Sequence, residues 1–293
     1  MTPEDIAAEV RRIEITTRHL VRDIVAGEYS SAFRGTGVEF AEVREYQPGD
    51  DIRTIDWNVT ARLGSAYVKR YLEERELTVM FLLDYSASSG FGTTVRTKRD
   101  LAVEACSVLA LAAARNNDRV GAVGFTDRAE RFVPPRRGRR QVLRVVSELI
   151  GFEPGHRGTD LTGALEFLAS VLRRRSVVFV ASDFYARGYD VALEQLARRH
   201  DVIALQVVDP REREMPAVGM AAFVDPETGG WRWVDTDDAA LRERYRLSGA
   251  RFDAELEQTL RLRDVDHLRL ETGRSYAETF IAFFRRRERM LWR

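Results

Sequence analysis

The chain has 293 residues, enough for one large domain with additions or two small ones, and its 46 Lys and Arg balance its 46 Asp and Glu. With no net charge, no overall field draws it to nucleic acid or to an anionic membrane, and neither partner is expected. The single cysteine, Cys106, excludes an internal disulfide and a cysteine-cluster metal site; among Leu101, Ala105, Val108 and Leu109 on an expected helix it reads as a small buried hydrophobe.

The opening Thr2-Pro3-Glu4-Asp5 is acidic where a signal peptide is basic, and no apolar run approaches the ~20 residues of a membrane span, so the expected location is cytoplasmic. Thr2 as cap, Pro3 at the first helical position and Asp5 begin a helix with an apolar face of Ile6, Val10, Ile13, Leu20 and Ile24, and Gly27 is its stop. From Phe33 to Glu76 the periodicity is mixed. Alternation at Val38, Phe40 and Val43 predicts a short edge strand, Pro48-Gly49 a turn, and Ile52, Ile55 and Trp57 an apolar clamp. Residues 1–76 are expected to form an N-terminal extension, helical and then extended, packing on a main domain of residues 77–293.

From Leu77 strands and helices alternate. Strands are predicted at 77–83, 119–125, 177–182 and 202–208, and helices near 97–116, 138–150, 161–174 and 189–199. This pattern predicts an α/β fold, a doubly wound, mostly parallel sheet flanked by helices, which binds ligands at the carboxyl ends of strands where the strand order reverses. Phe223-Val224 and Trp231-Arg232-Trp233-Val234 around Asp225-Pro226-Glu227-Thr228-Gly229-Gly230 read as a hairpin. Charged helices near 237–263 and 275–290 close the chain.

Asp84-Tyr85-Ser86-Ala87-Ser88 follows the apolar run Leu77, Val79, Met80, Phe81, Leu82, Leu83 directly, so one carboxylate and two hydroxyls emerge together at a strand's end. Gly158-Thr159-Asp160 precedes a helix, and Ser182-Asp183 ends the apolar run 177–181. If the two runs are neighbouring parallel strands, Asp84, Ser86, Ser88, Thr159 and Asp183 converge above one sheet edge. The set resembles the metal-ion-dependent adhesion site (MIDAS) of von Willebrand factor A domains, whose pattern is Asp-x-Ser-x-Ser, then Thr, then Asp. Carboxylate and hydroxyl oxygens in an incomplete shell suit Mg2+, with Mn2+ or Ca2+ as the alternatives, and an open position would accept a carboxylate from a partner.

Arg44-Glu45-Tyr46-Gln47-Pro48-Gly49-Asp50-Asp51-Ile52-Arg53-Thr54-Ile55-Asp56-Trp57, with Ala61-Arg62, Glu73-Glu74-Arg75-Glu76, Asp118-Arg119-Val120-Gly121, Pro134-Pro135-Arg136-Arg137-Gly138 and Ser182-Asp183-Phe184, resembles the domain of unknown function 58 (DUF58) family across nearly the whole chain. The resemblance implies a von Willebrand A-like protein with an N-terminal extension that accompanies a MoxR-type AAA+ ATPase. The function it suggests is metal-dependent protein binding, as an adaptor or co-chaperone and not an enzyme. Phe184 stands where many adhesion-type domains have Gly, and a bulky residue there would narrow access to the metal. The alternative function is a metal-dependent hydrolase at the same Asp/Ser/Thr site, with Asp160 as the nearest base.

Other chemistries lack their motifs. There is no Gly-x-x-x-x-Gly-Lys-Ser/Thr and no Gly-x-Ser-x-Gly elbow, so neither nucleotide hydrolysis by the chain itself nor a serine hydrolase is expected. His19, His156, His200 and His267 lack ligand spacing, and only His156 borders the site. Arg136, Arg137, Arg139 and Arg140, expected on a loop set by Pro134 and Pro135, form with His156 the candidate partner-binding surface. Arg173-Arg174-Arg175 suits the last turn of a helix, and Arg285-Arg286-Arg287 a solvated face.

Overall fold

The Thr2 hydroxyl accepts from the Asp5 amide at 3.2 Å, and the Asp5 carboxylate accepts from the Thr2 amide at 2.9 Å. This capping box satisfies two amide donors that the first turn leaves free and starts α1, Pro3–Thr16. The helix does not run on to residue 24 as one rod. Thr17 turns its hydroxyl back to the Ile13 carbonyl at 2.5 Å, the chain breaks there, and α2 follows as Arg18–Val25. Val10, Ile13, Val21 and Ile24 are the buried stripe. The computed structural model describes residues 1–25, 37–47, 50–51, 55–74 and 77–291, so the expected stop at Gly27, the Pro48-Gly49 turn and Ile52 lie outside the described residues.

The chain divides into two units, Met1–Ala32 with Thr78–Arg293, and Phe33–Leu77, so the first helices group with the larger unit. In the smaller unit β1, Gly37–Glu45, pairs antiparallel with β2, Tyr67–Glu74, and α3, Trp57–Leu63, lies between them in the chain. Asp56 caps α3 through the Asn58 and Val59 amides at 3.0 and 3.3 Å. Arg44 donates twice to Asp50, at 2.9 and 2.6 Å, and Asp50 also accepts from the Gln47 amide at 2.8 Å. These bonds give the signature segment a structural role: its charged residues fold it locally. Trp57 is 68% exposed, which removes it from the expected apolar clamp.

The larger unit is built on a six-stranded sheet. In chain order it contains β3 (Thr78–Asp84), α4 (Lys98–Arg115), β4 (Arg119–Phe125), β5 (Ala129–Arg136), α5 (Arg139–Gly151), α6 (Leu161–Val171), β6 (Val177–Ser182), α7 (Asp190–Arg199) and β7 (Asp201–Val208). A hairpin of β8 (Met220–Val224) and β9 (Trp231–Asp235) follows, then α8 (Ala239–Arg261), β10 (Asp266–Glu271) and α9 (Ala277–Leu291). The sheet order is β10-β7-β6-β3-β4-β5, with only β5 antiparallel to its neighbour. Both faces are covered, which is why the central strands are apolar throughout. Met80, Leu82, Val178, Val180, Val202 and Ala204 pack with α6, α7 and α8. On the other face α4 lies against β3, β4, β6 and β7 and α5 against β4, with α1 and α2 packed on these two helices. Cys106 is fully buried in α4, as its apolar neighbours predict.

From β3 the chain steps to β4 on one side and later returns to β6 on the other. The carboxyl ends of β3 and β6 therefore frame the switch point of the sheet, where crossover connections diverge and leave a crevice.

Four expectations are corrected. Pro134 and Pro135 lie in β5 and not on a loop; an antiparallel edge strand tolerates prolines because one side of it needs no amide donor. Arg136 ends that strand while Arg139 and Arg140 open α5, so the basic cluster spans a strand end and a helix start. α6 stops at Val171, which puts Arg173, Arg174 and Arg175 beyond it. Arg287, expected on a solvated face, bonds Asp201 at 2.7 and 2.5 Å and Asp266 at 2.7 Å and ties α9 to the first residues of β7 and β10.

Candidate metal centre

The loop after β3 is organised by its own side chains. Asp84 accepts from the Ser86 amide at 2.9 Å through one carboxylate oxygen and from the Ser182 hydroxyl at 2.7 Å through the other, which links the ends of β3 and β6. The Ser86 and Ser88 hydroxyls are 3.0 Å apart, and Ser88 donates to Asp183 at 3.2 Å. Asp84, Ser86, Ser88 and Asp183 thus form one hydrogen-bonded group at the switch point. Burial, and then the charge of Asp183, push the Asp84 carboxyl up to about 6. Tyr85, between these residues, points into the core and donates to the Leu149 carbonyl at 2.6 Å.

Thr159 follows a segment that touches this loop through Arg157. The Arg157 carbonyl accepts from the Ala87 amide at 2.9 Å, which docks Arg157 on the Asp-x-Ser-x-Ser loop. The Thr159 hydroxyl itself donates to Glu227 at 2.5 Å. Glu227 sits at the tip of the β8–β9 hairpin, where Arg157 also donates to the Pro226 carbonyl at 2.9 Å.

A buried cation completes the cluster. Lys98, 2% exposed at the start of α4, donates to Asp183 at 2.7 Å and to Glu212 at 2.6 Å. Burial alone would lower the ammonium pKa, but the two carboxylates outweigh it and the pKa is raised, so the lysine stays charged. Beyond it, Asp209 at the end of β7 accepts from the Thr93 amide and hydroxyl at 2.8 and 2.6 Å and from Thr272 at 2.7 Å. The carboxyl edge of the sheet is therefore a continuous polar layer with its partners supplied.

The donor set of Asp84, Ser86, Ser88 and Asp183 suits a hard divalent ion: two carboxylates and two hydroxyls within one hydrogen-bonded group and no soft ligand among them, while the Thr159 hydroxyl is engaged with Glu227. Among the described residues no group of three or more His, Cys, Asp or Glu is placed to hold a metal, so the candidate centre rests on two carboxylates and the hydroxyls beside them. Asp160, the candidate base, caps α6 through the Gly163 amide at 2.9 Å.

Phe184 does not obstruct the site. Its backbone is left-handed at φ 60°, its side chain is 1% exposed, and it packs in the core against Tyr189 with ring centroids 6.0 Å apart. His156 lies 3.6 Å from Asp127, which follows β4. His200 is buried with neither ring nitrogen hydrogen-bonded among the described residues, and burial lowers its pKa to about 4, so it packs as a neutral ring. Arg136 pairs with Val120 near the start of β4, whereas Asp84 pairs with Phe125 at its end. The basic cluster thus sits at the opposite edge of the sheet from the carboxylates. Arg139 bonds Glu14 there at 2.8 Å.

Lys98, Arg157 and Glu227 escape the motif, whereas Ser182 stands in the sequence beside Asp183 but its bond to Asp84 does not. Lys98 carries one signal, a lysine in a helix's first turn where the dipole favours acids. The others are set by which loops meet, which no local pattern encodes.

A mostly parallel six-stranded sheet with Asp-x-Ser-x-Ser at its switch point places the chain in the von Willebrand A-like class of α/β proteins. It belongs to the family described as protein of unknown function DUF58, whose profile matches residues 42–255. The uncharacterized protein Rv1480 of Mycobacterium tuberculosis is 34% identical over 288 residues, 97% of this chain and 90% of the relative. Among solved structures, an aerotolerance-related membrane protein from Bacteroides fragilis is similar over 72% of this chain and 99% of its own, with 18% identity and a TM-score of 0.48. The conserved hypothetical protein BatB from Bacteroides thetaiotaomicron is similar over 73% and 99%, with 15% identity and a TM-score of 0.46. No described helix of the present chain is long and apolar enough to cross a membrane.

Proposed function

We propose that the chain binds one divalent cation, magnesium foremost, through Asp84, Ser86, Ser88, Thr159 and Asp183, and uses it to hold a carboxylate of a partner protein. The partner class is a MoxR-type AAA+ ATPase or its client, and the chain acts as adaptor or co-chaperone without catalysing a reaction. The observation that carries this reading is the hydrogen-bonded group of Asp84, Ser86, Ser88 and Asp183 at the switch point. A cation there would neutralise Asp84, which burial otherwise penalises, and share Asp183 with Lys98; by keeping one position for an external oxygen it would make binding metal-bridged.

A pull-down with a MoxR-type ATPase tests the reading. Binding is expected to fall at least tenfold in excess EDTA and with Asp84→Ala, mostly through faster dissociation, because a short-range contact is lost and distant steering charges are untouched. Equal capture under all three conditions would contradict the metal bridge.

A further inference from the structure

Where the chain leaves β6 it lines a cleft of about 580 Å3 together with α8 and the turn after β7, through Tyr185, Arg187, Glu212, Tyr245, Arg251 and Phe252. Tyr185 lies flat on Phe252 with ring centroids 4.3 Å apart, and the Arg213 guanidinium stands over the two rings at 5.7 and 5.6 Å. Arg213 also donates to the Tyr185 hydroxyl at 2.6 Å and to Asp253 at 2.8 and 2.6 Å, so this aromatic wall is held in place. Tyr245 is held as well, by donating to the Arg211 carbonyl at 3.0 Å. Gly249 lets α8 come close to the turn, since a Cβ there would meet the Arg213 Cδ at 3.0 Å. Two contacts join the cleft to the candidate centre. The Tyr185 amide donates to Asp183 at 3.2 Å, and Lys98 bonds both Asp183 and Glu212, at 2.7 and 2.6 Å. Glu212 is thus engaged by the lysine. Arg187 and Arg251 are exposed and make no ion pair or hydrogen bond among the described residues, unlike Arg246 of the same helix α8, which pairs with Glu243. Glu255 is the one uncommitted carboxylate of the lining against these two guanidiniums. Fixed aromatic rings beside guanidiniums that can each hold a carboxylate through two parallel donors are the usual make-up of a protein-binding hot spot.

We propose that this cleft takes an acidic segment of a partner protein, with carboxylates on Arg187 and Arg251 and an aromatic side chain on the Tyr185–Phe252 wall, and that the same segment brings the carboxylate held at the metal centre. The link to the centre rests on the metal reading of Asp84, Ser86, Ser88, Thr159 and Asp183; the preference of the cleft for acid does not. A basic segment would set its own cations against the two guanidiniums, and an apolar one would cover them without supplying an acceptor. Two anchors on one segment raise the effective concentration of the second, so the cleft supplies the selectivity that one bridged carboxylate lacks.

The probe is a fluorescein-labelled hexapeptide with two central phenylalanines and two glutamates on each side, titrated with the full chain and followed by fluorescence anisotropy. The wild type is expected to bind it, and more tightly with magnesium than in EDTA. Arg187→Gln combined with Arg251→Gln is expected to weaken binding about tenfold in both conditions, the sum of two modest exposed charge pairs. Serine in place of the two phenylalanines is expected to cost about fivefold. Asp84→Ala is expected to remove the gain from magnesium and to leave the affinity in EDTA as it was. The same number of charges removed elsewhere, by Arg173→Gln with Arg174→Gln at exposed positions beyond α6, is expected to leave binding unchanged. Equal binding by the wild type and the Arg187→Gln, Arg251→Gln variant would overturn the cleft, as would equal binding of a peptide with lysines in place of the glutamates. A wild type that leaves the peptide free at millimolar protein would overturn it too. Binding that needs both arginines but ignores magnesium would overturn the link to the metal while the cleft stands.

Discussion

Replacing Lys98 by methionine is expected to destabilise the metal-free protein by about 3–5 kcal/mol, the usual cost of removing one partner from a buried ion pair. Methionine keeps most of the stem's packing, so the loss reports the charge. Lys98 is buried and bonds two carboxylates, Asp183 and Glu212; without it, Asp183 stands beside Asp84 with less positive charge to offset the pair. In a domain of this size the change lowers Tm by on the order of 10 °C. Magnesium is expected to restore most of the loss and to bind the variant more tightly than the wild type, because a cation at the centre takes over the neutralisation of Asp183 and no longer meets the repulsion of the ammonium. Differential scanning calorimetry with EDTA and with saturating magnesium reads both effects. An equal drop in the two conditions would mean that Asp183 is not shared between lysine and metal.

The second large effect belongs to Phe184. Its ring is a fully buried part of the core between the sheet and α6–α8, so Phe184→Ala is expected to cost about 3–5 kcal/mol in denaturant unfolding. The backbone at φ 60° penalises every side chain with a Cβ, alanine included. Phe184→Gly should therefore be about 1 kcal/mol less damaging than Phe184→Ala although it removes more of the side chain. An alanine variant as stable as the glycine variant would contradict the strained backbone. Metal affinity is expected to be unchanged in both, because the ring faces the core and not the crevice.

Phe184 also shows where sequence reading stops. Its position after Asp183 is plain in the sequence, but the direction of its side chain depends on a left-handed residue that no apolar pattern encodes. The parallel strands were legible because full burial on both faces makes β3, β4, β6 and β7 apolar runs bounded by Asp, Gly or Pro. β10 was not legible, since Asp266-His267-Leu268-Arg269-Leu270-Glu271 is an edge strand with polar alternate residues lying between two charged helices. That Asp84, Ser86, Ser88 and Asp183 come together could be read from motif and strand order, because the switch point of a doubly wound sheet fixes where two strand ends meet. What surrounds them could not: Lys98 arrives from a helix start and Glu212 from the turn after β7, each placed by tertiary packing.

The most direct measurement of the central claim is a Mn2+ titration, followed by electron paramagnetic resonance, of the full chain and its Asp84→Ala variant, with circular dichroism confirming that both are folded. The wild type is expected to bind one ion, displaceable by magnesium, and the folded variant none over the same range. A wild type that leaves millimolar Mn2+ free in solution, or a variant that binds it equally well, would contradict a metal centre at Asp84, Ser86, Ser88, Thr159 and Asp183.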